Sequence, residues 1–98
     1  MSYELLPRAL RDLRAHLYYV AADDPKAAVR EGSRLFDELE RFSQLPVDGA
    51  RVQIRGVPFQ VLRWFLHPFH VYYEHRPNGI VVFRLYHHAR RPLERGRQ

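Results

Sequence analysis

The spacing of apolar residues along the chain changes near Gly49, from the period of a helix to the period of a strand. Before this point, apolar residues recur at steps of three and four, which is typical of amphipathic helices. This spacing predicts one helix over residues 8–22 and a second over residues 25–43. Their apolar faces comprise Leu10, Leu13, Leu17 and Val20 in the first helix and Ala28, Leu35, Leu39 and Phe42 in the second.

The junction between the two helices contains residues typical of the end of one helix and the beginning of another. Asp24 is placed to cap the second helix by accepting a backbone N–H bond, and Pro25 suits the first helical position because its φ is already set. Gly32 costs about 1 kcal/mol relative to alanine in mid-helix, so it indicates either close helix packing or a tolerated weakness. The helices are expected to form an antiparallel hairpin, which Pro46 and Gly49 end.

After Gly49, apolar and polar residues alternate, which is the pattern of half-buried strands. Turn residues interrupt the alternation at Gly56 with Pro58, at His67-Pro68 and at Pro77-Asn78-Gly79. The short apolar run before Pro7 is predicted to be an edge strand over residues 2–6. The remaining strands are predicted within residues 50–88, at 51–55, 59–66, 69–76 and 80–88.

These elements predict an α+β fold in which the helical hairpin packs on one face of a small, twisted, mostly antiparallel sheet. The opposite face of the sheet is expected to be open, and function is expected on that face. The last strand offers two alternating sets of side chains, of which one is more apolar. The set predicted to face the core is Val81, Phe83, Leu85 and His87.

The other set on the last strand places Arg84 and Tyr86 on the uncovered face of the sheet. Arg63, on an earlier strand, is predicted to point to the same face. Tyr72 and Tyr73 are adjacent in the sequence, so one of them is expected in the core and the other on the uncovered side. We therefore expect arginine and aromatic side chains to lie together there.

The chain has 98 residues, a length that provides one hydrophobic core, so residues 1–98 are expected to form a single domain. It contains no cysteine, which excludes a disulfide framework and a thiolate metal site. Residues 1–7 lack the pattern of a secretory signal, and no apolar run reaches the roughly 18 residues of a membrane span. A soluble, cytoplasmic protein without membrane contact is expected.

Charge is distributed unevenly between the two halves of the chain. Residues 1–48 carry seven basic and nine acidic side chains, whereas residues 49–98 carry nine arginines against Glu74 and Glu94. A surface of one sign attracts a polyanion or an acidic protein surface, although the acidic half could instead balance it within the monomer. Residues 89–98 contain four arginines and little that could pack, so this basic tail is expected to be flexible.

Candidate chemistry concentrates on the last three strands and the residues that follow them. The six histidines form no helical metal-binding motif, so neither a metal nor a cofactor is expected. Arginine binds phosphate through a planar fork, aromatic rings stack on bases, and histidine or tyrosine can transfer a proton. Such residues would suit RNA cleavage without a metal, or they would only fill the core and solvate the surface. The set comprises Arg63, Tyr72, Tyr73, Arg84, Tyr86, His87, His88, Arg90 and Arg91.

In the order of its motifs, the chain resembles the ParE/RelE superfamily of type II toxins. The motifs are ALRDL at residues 9–13, DPKAA at 24–28, LP at 45–46 followed by Gly49, GVPFQVLR at 56–63, VYYE at 71–74 and FRLYHHARR at 83–91. The resemblance covers nearly the whole chain. It implies a bacterial toxin that a cognate antitoxin neutralises, with operator DNA bound only through the antitoxin.

The resemblance implies two different targets for the two branches of the superfamily. ParE-like toxins inhibit DNA gyrase, whereas RelE-like toxins cleave mRNA on the ribosome. The histidine and arginines at the end of the last strand resemble the ParE-like branch, and the chain lacks the lysine cluster of the RelE ribonucleases. A ParE-like gyrase inhibitor is therefore the preferred interpretation, while a RelE-like ribonuclease and a non-catalytic nucleic-acid-binding domain remain alternatives. In each case the chain could form a homodimer.

For the ribonuclease alternative, four residues are assigned to catalysis. His87 would transfer the proton, Arg63 and Arg84 would hold the phosphate, and Tyr86 or His88 would assist. For binding of a macromolecular partner, the candidate residues are Arg63, Tyr72, Tyr73, Arg84, His88, Arg90 and Arg91.

Overall fold

Two helices and five strands follow one another in the computed structural model of the chain, which describes residues 3–90. The short strand β1 precedes a helical pair, and four further strands follow the helices. The elements are β1 (Tyr3–Leu5), α1 (Pro7–Asp23), α2 (Pro25–Ser43), β2 (Ala50–Gln53), β3 (Gln60–Leu66), β4 (Phe69–Arg76) and β5 (Gly79–His87). No helix within residues 3–90 is long and apolar enough to cross a membrane.

The junction between α1 and α2 has the capping contacts that its residues predict. The Asp24 carboxylate accepts a hydrogen bond from the Ala27 backbone N–H at 3.1 Å, and Pro25 occupies the first turn of α2. The Asp24 N–H donates to the Val20 carbonyl and so closes the end of α1. A Cβ on Gly32 would lie 3.4 Å from Leu17 Cδ1, so the glycine permits the close approach of the two helices.

The five strands form one sheet in the order β1-β5-β4-β3-β2. Strand β1 is parallel to β5, and the other neighbouring strands are antiparallel. The α+β fold with a mostly antiparallel sheet is therefore confirmed. The parallel first strand lies at one edge of the sheet, and the helices that follow it pack against a single face.

The main hydrophobic core lies between the helices and this face of the sheet. Phe42 of α2 stacks on Trp64 at 3.8 Å between ring centroids and meets Tyr73 edge to face at 5.2 Å. The Tyr73 hydroxyl accepts a hydrogen bond from the Gly49 N–H at 2.7 Å. The buried members of this core are Ala9, Leu13, Leu35, Leu39, Phe42, Leu62, Leu66, Phe69, Val71, Tyr73, Ile80, Val82 and Leu85.

A β-bulge on β5 changes which of its side chains face the helices. Tyr72 pairs with Arg84 and Tyr73 pairs with Val82, so Phe83 is an extra residue without a partner on β4. The strand therefore presents Ile80 and Val82 to the core before the bulge and Leu85 after it. The predicted core-facing set, Val81, Phe83, Leu85 and His87, is wrong for its first half, because a single alternation cannot continue through a bulge.

The face of the sheet turned away from the helices, here called the reverse face, is covered at one end. Ile54, Val61 and Tyr72 form a second buried cluster there, with Val52, Val57, Phe83 and Tyr86 packed around it. The chain between β2 and β3 contributes Ile54 and Val57 to this cover. The expectation of a wholly open reverse face is therefore wrong, and only the part beyond this cluster is exposed.

Candidate functional site

The strand register places the predicted arginine and aromatic residues in two rows on the reverse face. Arg63 on β3 pairs with Tyr72 on β4, which in turn pairs with Arg84 on β5. The neighbouring row runs through Phe65, His70 and Tyr86. The register thus places Arg63, Arg84 and Tyr86 on the same face of the sheet, and the bulge determines on which face Arg84 lies.

Arg84 is held by α1 and is not presented to a ligand. Its Nε and Nη2 atoms donate to the two Asp12 carboxylate oxygens at 2.7 and 3.1 Å, and the Leu85 N–H donates to the same carboxylate at 3.1 Å. The side chains of Arg84 and Asp12 are only 15% and 9% exposed. Together these bonds join α1 to β5 and give the Leu85 N–H a partner beyond the end of β1. Arg84 therefore has a structural role here.

Two guanidinium groups approach the Tyr86 ring. The Cζ atoms of Arg84 and Arg90 are each 5.1 Å from the centre of the Tyr86 ring, which is within the range of cation–π attraction. Arg90 is exposed, so this pair extends the basic surface past the end of β5. Arg91, which was predicted to bind with it, lies outside the described residues.

A partly exposed group of rings continues the reverse face at the end of β3 and β5. Phe65 is 47% exposed and contacts His70 and His88 at 5.2 and 6.0 Å between ring centroids. His67 meets His88 at 5.3 Å. We call Phe65, His67, His70 and His88, together with Tyr86 and Arg90, the ring patch.

His87 lies on the helix side at the end of β5, where its ring also stacks on His88 of the ring patch at 4.9 Å. Its ring contacts His16 of α1 at 5.8 Å and Phe69 at 6.1 Å, both on that side. Burial, followed by the charges of His88, His16, His67 and Arg90, lowers the pKa of His87 from its usual 6.5. The predicted catalytic group of His87 with Arg63 and Tyr86 is therefore divided between two faces, because alternate side chains of a strand point in opposite directions.

Tyr72 and Tyr73 point to opposite faces, as their adjacency predicts, but both are buried. Tyr72 is 1% exposed beneath the reverse face, and Tyr73 is 0% exposed in the main core, where burial raises its pKa. The expectation that these rings bind a partner is not compatible with this burial. Their bulk instead supports the sheet from both sides.

Three residues near the end of β5 were not singled out from the sequence: Asp12, His16 and Glu31. The His16 Nε2 lies 3.3 Å from the Glu31 carboxylate, which also accepts from Arg34 Nε at 3.2 Å. His16 continues the apolar spacing of Leu13, Leu17 and Val20, and a polar residue on that stripe is a signal that could have identified it. Asp12 gave no such signal, since its partner is 72 residues away in the chain.

The outer side of the helical hairpin carries an apolar groove of about 430 Å³. Tyr18 and Val29 are 73% and 71% exposed, and Phe36 is 39% exposed. We call this surface the hairpin groove. Exposed apolar side chains in such a contiguous group are typical of protein–protein contact sites.

The histidines near the end of β5 do not form a metal site. Within residues 3–90, no group of three histidine or acidic side chains has an arrangement that could hold a metal ion. The contacts among these side chains are ring contacts and hydrogen bonds to the protein itself.

Comparison with known proteins gives a family and a related structure. The model of the family described as ParE toxin of type II toxin-antitoxin system, parDE, matches residues 3–92. A solved structure titled "Chromosomal ParDE TA system from P. aeruginosa" is similar with a TM-score of 0.66 and 22% identity, over 89% of this chain and 95% of that chain. The curated protein sequences contain no match. Because the family match spans almost the entire chain and the fold agrees, the chain belongs to the ParE toxins of type II toxin–antitoxin systems.

Proposed function

We propose that this toxin inhibits DNA gyrase by binding it, and that a cognate antitoxin neutralises the toxin by covering its surface. The observation that carries the proposal is the family match over residues 3–92. Gyrase acts on the chromosome, so the proposal places the toxin in the cytoplasm. The exposed surfaces described above provide the contacts that such binding requires.

The arrangement of the predicted catalytic residues favours binding over RNA cleavage. His87 lies on the helix side of the sheet, whereas Arg63 lies on the reverse face. Arg84 is engaged with Asp12 through two hydrogen bonds. One phosphate cannot contact a proton-transfer group and two arginines that are separated in this way, since catalysis requires them within hydrogen-bond reach of the same reacting atoms.

The ring patch is the surface that we propose for the target. Phe65 is 47% exposed, and the exposed Arg90 lies against Tyr86. Aromatic and arginine side chains contribute most to protein–protein affinity because they combine a large contact area with polar groups. The basic second half of the chain also favours approach to an acidic surface.

The hairpin groove is the surface that we propose for the apolar part of the antitoxin. Arg14 precedes Tyr18 by one helical turn, and Lys26 precedes Val29 by nearly one turn. Both cations are exposed. An antitoxin segment with apolar residues toward the groove and acidic residues beside it would satisfy both features. Further acidic residues of the antitoxin would meet the basic second half of the toxin.

A supercoiling assay with purified toxin and gyrase tests the target. The toxin is expected to inhibit supercoiling of relaxed plasmid, and Phe65→Ala or Arg90→Ala should weaken inhibition at least about tenfold, as expected for residues central to an interface. The matched control is Arg76→Ala, because Arg76 is exposed at the opposite end of β4. Full supercoiling at saturating folded toxin would reject gyrase as the target.

Co-expression with the antitoxin tests the hairpin groove. Val29→Asp should abolish purification of the complex, because it places a carboxylate in the apolar groove beside a segment expected to be acidic. Ala22→Asp is the control, since Ala22 is exposed on α1 but does not line the groove. An intact complex with Val29→Asp would exclude the groove from the antitoxin interface.

A further inference from the structure

A second concave site lies between α1 and the end of β5, away from the hairpin groove, and shares Arg90 with the ring patch. This α1–β5 cleft has a volume of about 510 Å³. Its apolar walls include Tyr19 and Val20 of α1 together with Phe69 and Leu85 of the sheet. A mostly apolar cleft of this size with a few convergent polar groups is typical of sites for small molecules.

Two imidazole rings in this cleft pack on the buried side chain of Phe69. His16 and His87 meet Phe69 edge to face, at 5.0 and 6.1 Å between ring centroids, and Phe69 is only 1% exposed. The two imidazoles are 5.8 Å apart. Because both rings pack against a buried side chain, a ligand would find them already positioned, which lowers the entropic cost of binding.

Hydrogen bonds within the protein determine which ring atoms remain for a ligand. The Ala89 N–H donates to His87 Nδ1 at 3.1 Å, so the neutral His87 ring carries its hydrogen on Nε2. Burial lowers the pKa of His87, which keeps this neutral form dominant near pH 7. His87 is therefore a hydrogen-bond donor in the cleft and is poorly arranged to act as a base.

The charges around the cleft favour an anion. Arg90 lines the cleft, and no carboxylate within residues 3–90 forms an ion pair with it. The Asp12 carboxylate also lies in the wall, but Arg84 neutralises it through two hydrogen bonds. Glu31, which contacts His16 behind the cleft, is similarly engaged with Arg34.

We propose that the α1–β5 cleft binds a nucleotide, with its phosphate at His87 Nε2–H and the Arg90 guanidinium and its base against Tyr19 and Val20. Hydrogen bonds to a charged phosphate are stronger than neutral ones, and aromatic side chains provide stacking surfaces for bases. A free nucleoside monophosphate and the phosphorylated end of a nucleic acid strand share this chemistry. Binding at the cleft does not depend on gyrase inhibition.

NMR of the histidine side chains in the full chain tests the cleft directly, with 5′-AMP, adenosine and inorganic phosphate as separate probes. AMP should shift the imidazole signals of His16 and His87 in a saturable manner and bind at least tenfold more tightly than adenosine or phosphate. Arg90→Gln and His87→Gln should each weaken AMP binding about ten- to hundredfold, as expected for the loss of a hydrogen bond to a charged group. Arg76→Gln, at the other end of the sheet, should leave it unchanged.

Arg90 is exposed, so Arg90→Gln keeps the test valid even if His87→Gln does not fold. A short oligodeoxynucleotide with and without a 5′-phosphate distinguishes the two sources of ligand. Tighter binding of the phosphorylated strand than of AMP identifies a strand end, and the reverse order identifies a free nucleotide. Unshifted His16 and His87 signals at millimolar AMP, or AMP binding that Arg90→Gln leaves intact, would overturn the proposal.

Discussion

The ion pair between Asp12 and Arg84 gives the most specific prediction about stability. Asp12→Ala removes an acceptor of three hydrogen bonds, two from the Arg84 guanidinium and one from the Leu85 N–H. The Arg84 side chain is 15% exposed, so water cannot fully replace the lost carboxylate. Breaking one partner of a buried pair costs about 3–5 kcal/mol, and the residual exposure of Arg84 favours the lower end of that range, about 3 kcal/mol.

Thermal unfolding measures this loss. In a domain of this size 1 kcal/mol corresponds to roughly 4–8 °C, so the melting temperature should fall by about 12–24 °C. Asp12→Asn should cause a smaller fall, since the amide oxygen can still accept the Leu85 N–H. Asp37→Ala is the matched control, because Asp37 is an exposed carboxylate on α2 and should change the free energy of unfolding by less than about 0.5 kcal/mol.

A double-mutant cycle separates this ion pair from a general effect of substituting α1. Asp12→Ala combined with Arg84→Met should be more stable than Asp12→Ala alone, because the double variant no longer buries an unpaired cation. If Asp12→Ala lowers the melting temperature by no more than Asp37→Ala, or if the two substitutions are additive, then the contact does not stabilise the fold as described.

Two further predictions concern Gly49 and His87. A Cβ at Gly49 would lie 2.1 Å from the Arg63 carbonyl oxygen, so Gly49→Ala should lower the free energy of unfolding by about 3 kcal/mol or more in urea denaturation. Gly56→Ala, which meets no atom within 4 Å but requires a φ of +79°, should cost only about 1–2 kcal/mol, and equal losses would contradict the steric explanation. Because the pKa of His87 is lower in the folded chain than its usual 6.5, the unfolded chain binds more protons as the pH falls below about 6.5, and stability should decline there. His87→Gln should reduce this decline between pH 7.5 and 5.5, and an unchanged decline would show that His87 does not cause it.

The helical hairpin could be predicted from sequence because local interactions determine it. Helix α2 spans Pro25–Ser43, the same residues that spacing and the Asp24 cap indicate. The structure extends α1 by one residue at each end of the predicted range, to Pro7 and Asp23. Capping and apolar periodicity act within a few residues, so their signals are present in the chain itself.

The side-chain directions on β5 could not be predicted in the same way. The bulge at Phe83 depends on pairing with β4, and it moves Phe83 to the reverse face while returning Leu85 to the core. The apolar run from Ile80 to Phe83 is itself a signal, since uninterrupted apolar residues indicate a strand buried on both faces. In the turn before β5, Gly79 has a positive φ and Asn78 does not.

The candidate site was predicted only in part, because its composition depends on contacts between distant segments. The register brings Arg63, Arg84 and Tyr86 to the same face, but the ion pair of Arg84 involves a residue on α1. The placement of His87 beside His16 likewise joins the last strand to the first helix. Such pairings leave no periodic signal in the sequence.

Induction of the toxin in growing bacteria, followed by analysis of plasmid topology and transcript ends in the same culture, tests the proposed target most directly. Gyrase inhibition predicts plasmids that lose negative supercoils while transcripts keep their normal ends, with Phe65→Ala delaying both growth arrest and the change in topology. Unchanged supercoiling together with transcripts cut within codons would contradict gyrase as the target and identify the toxin as a ribonuclease.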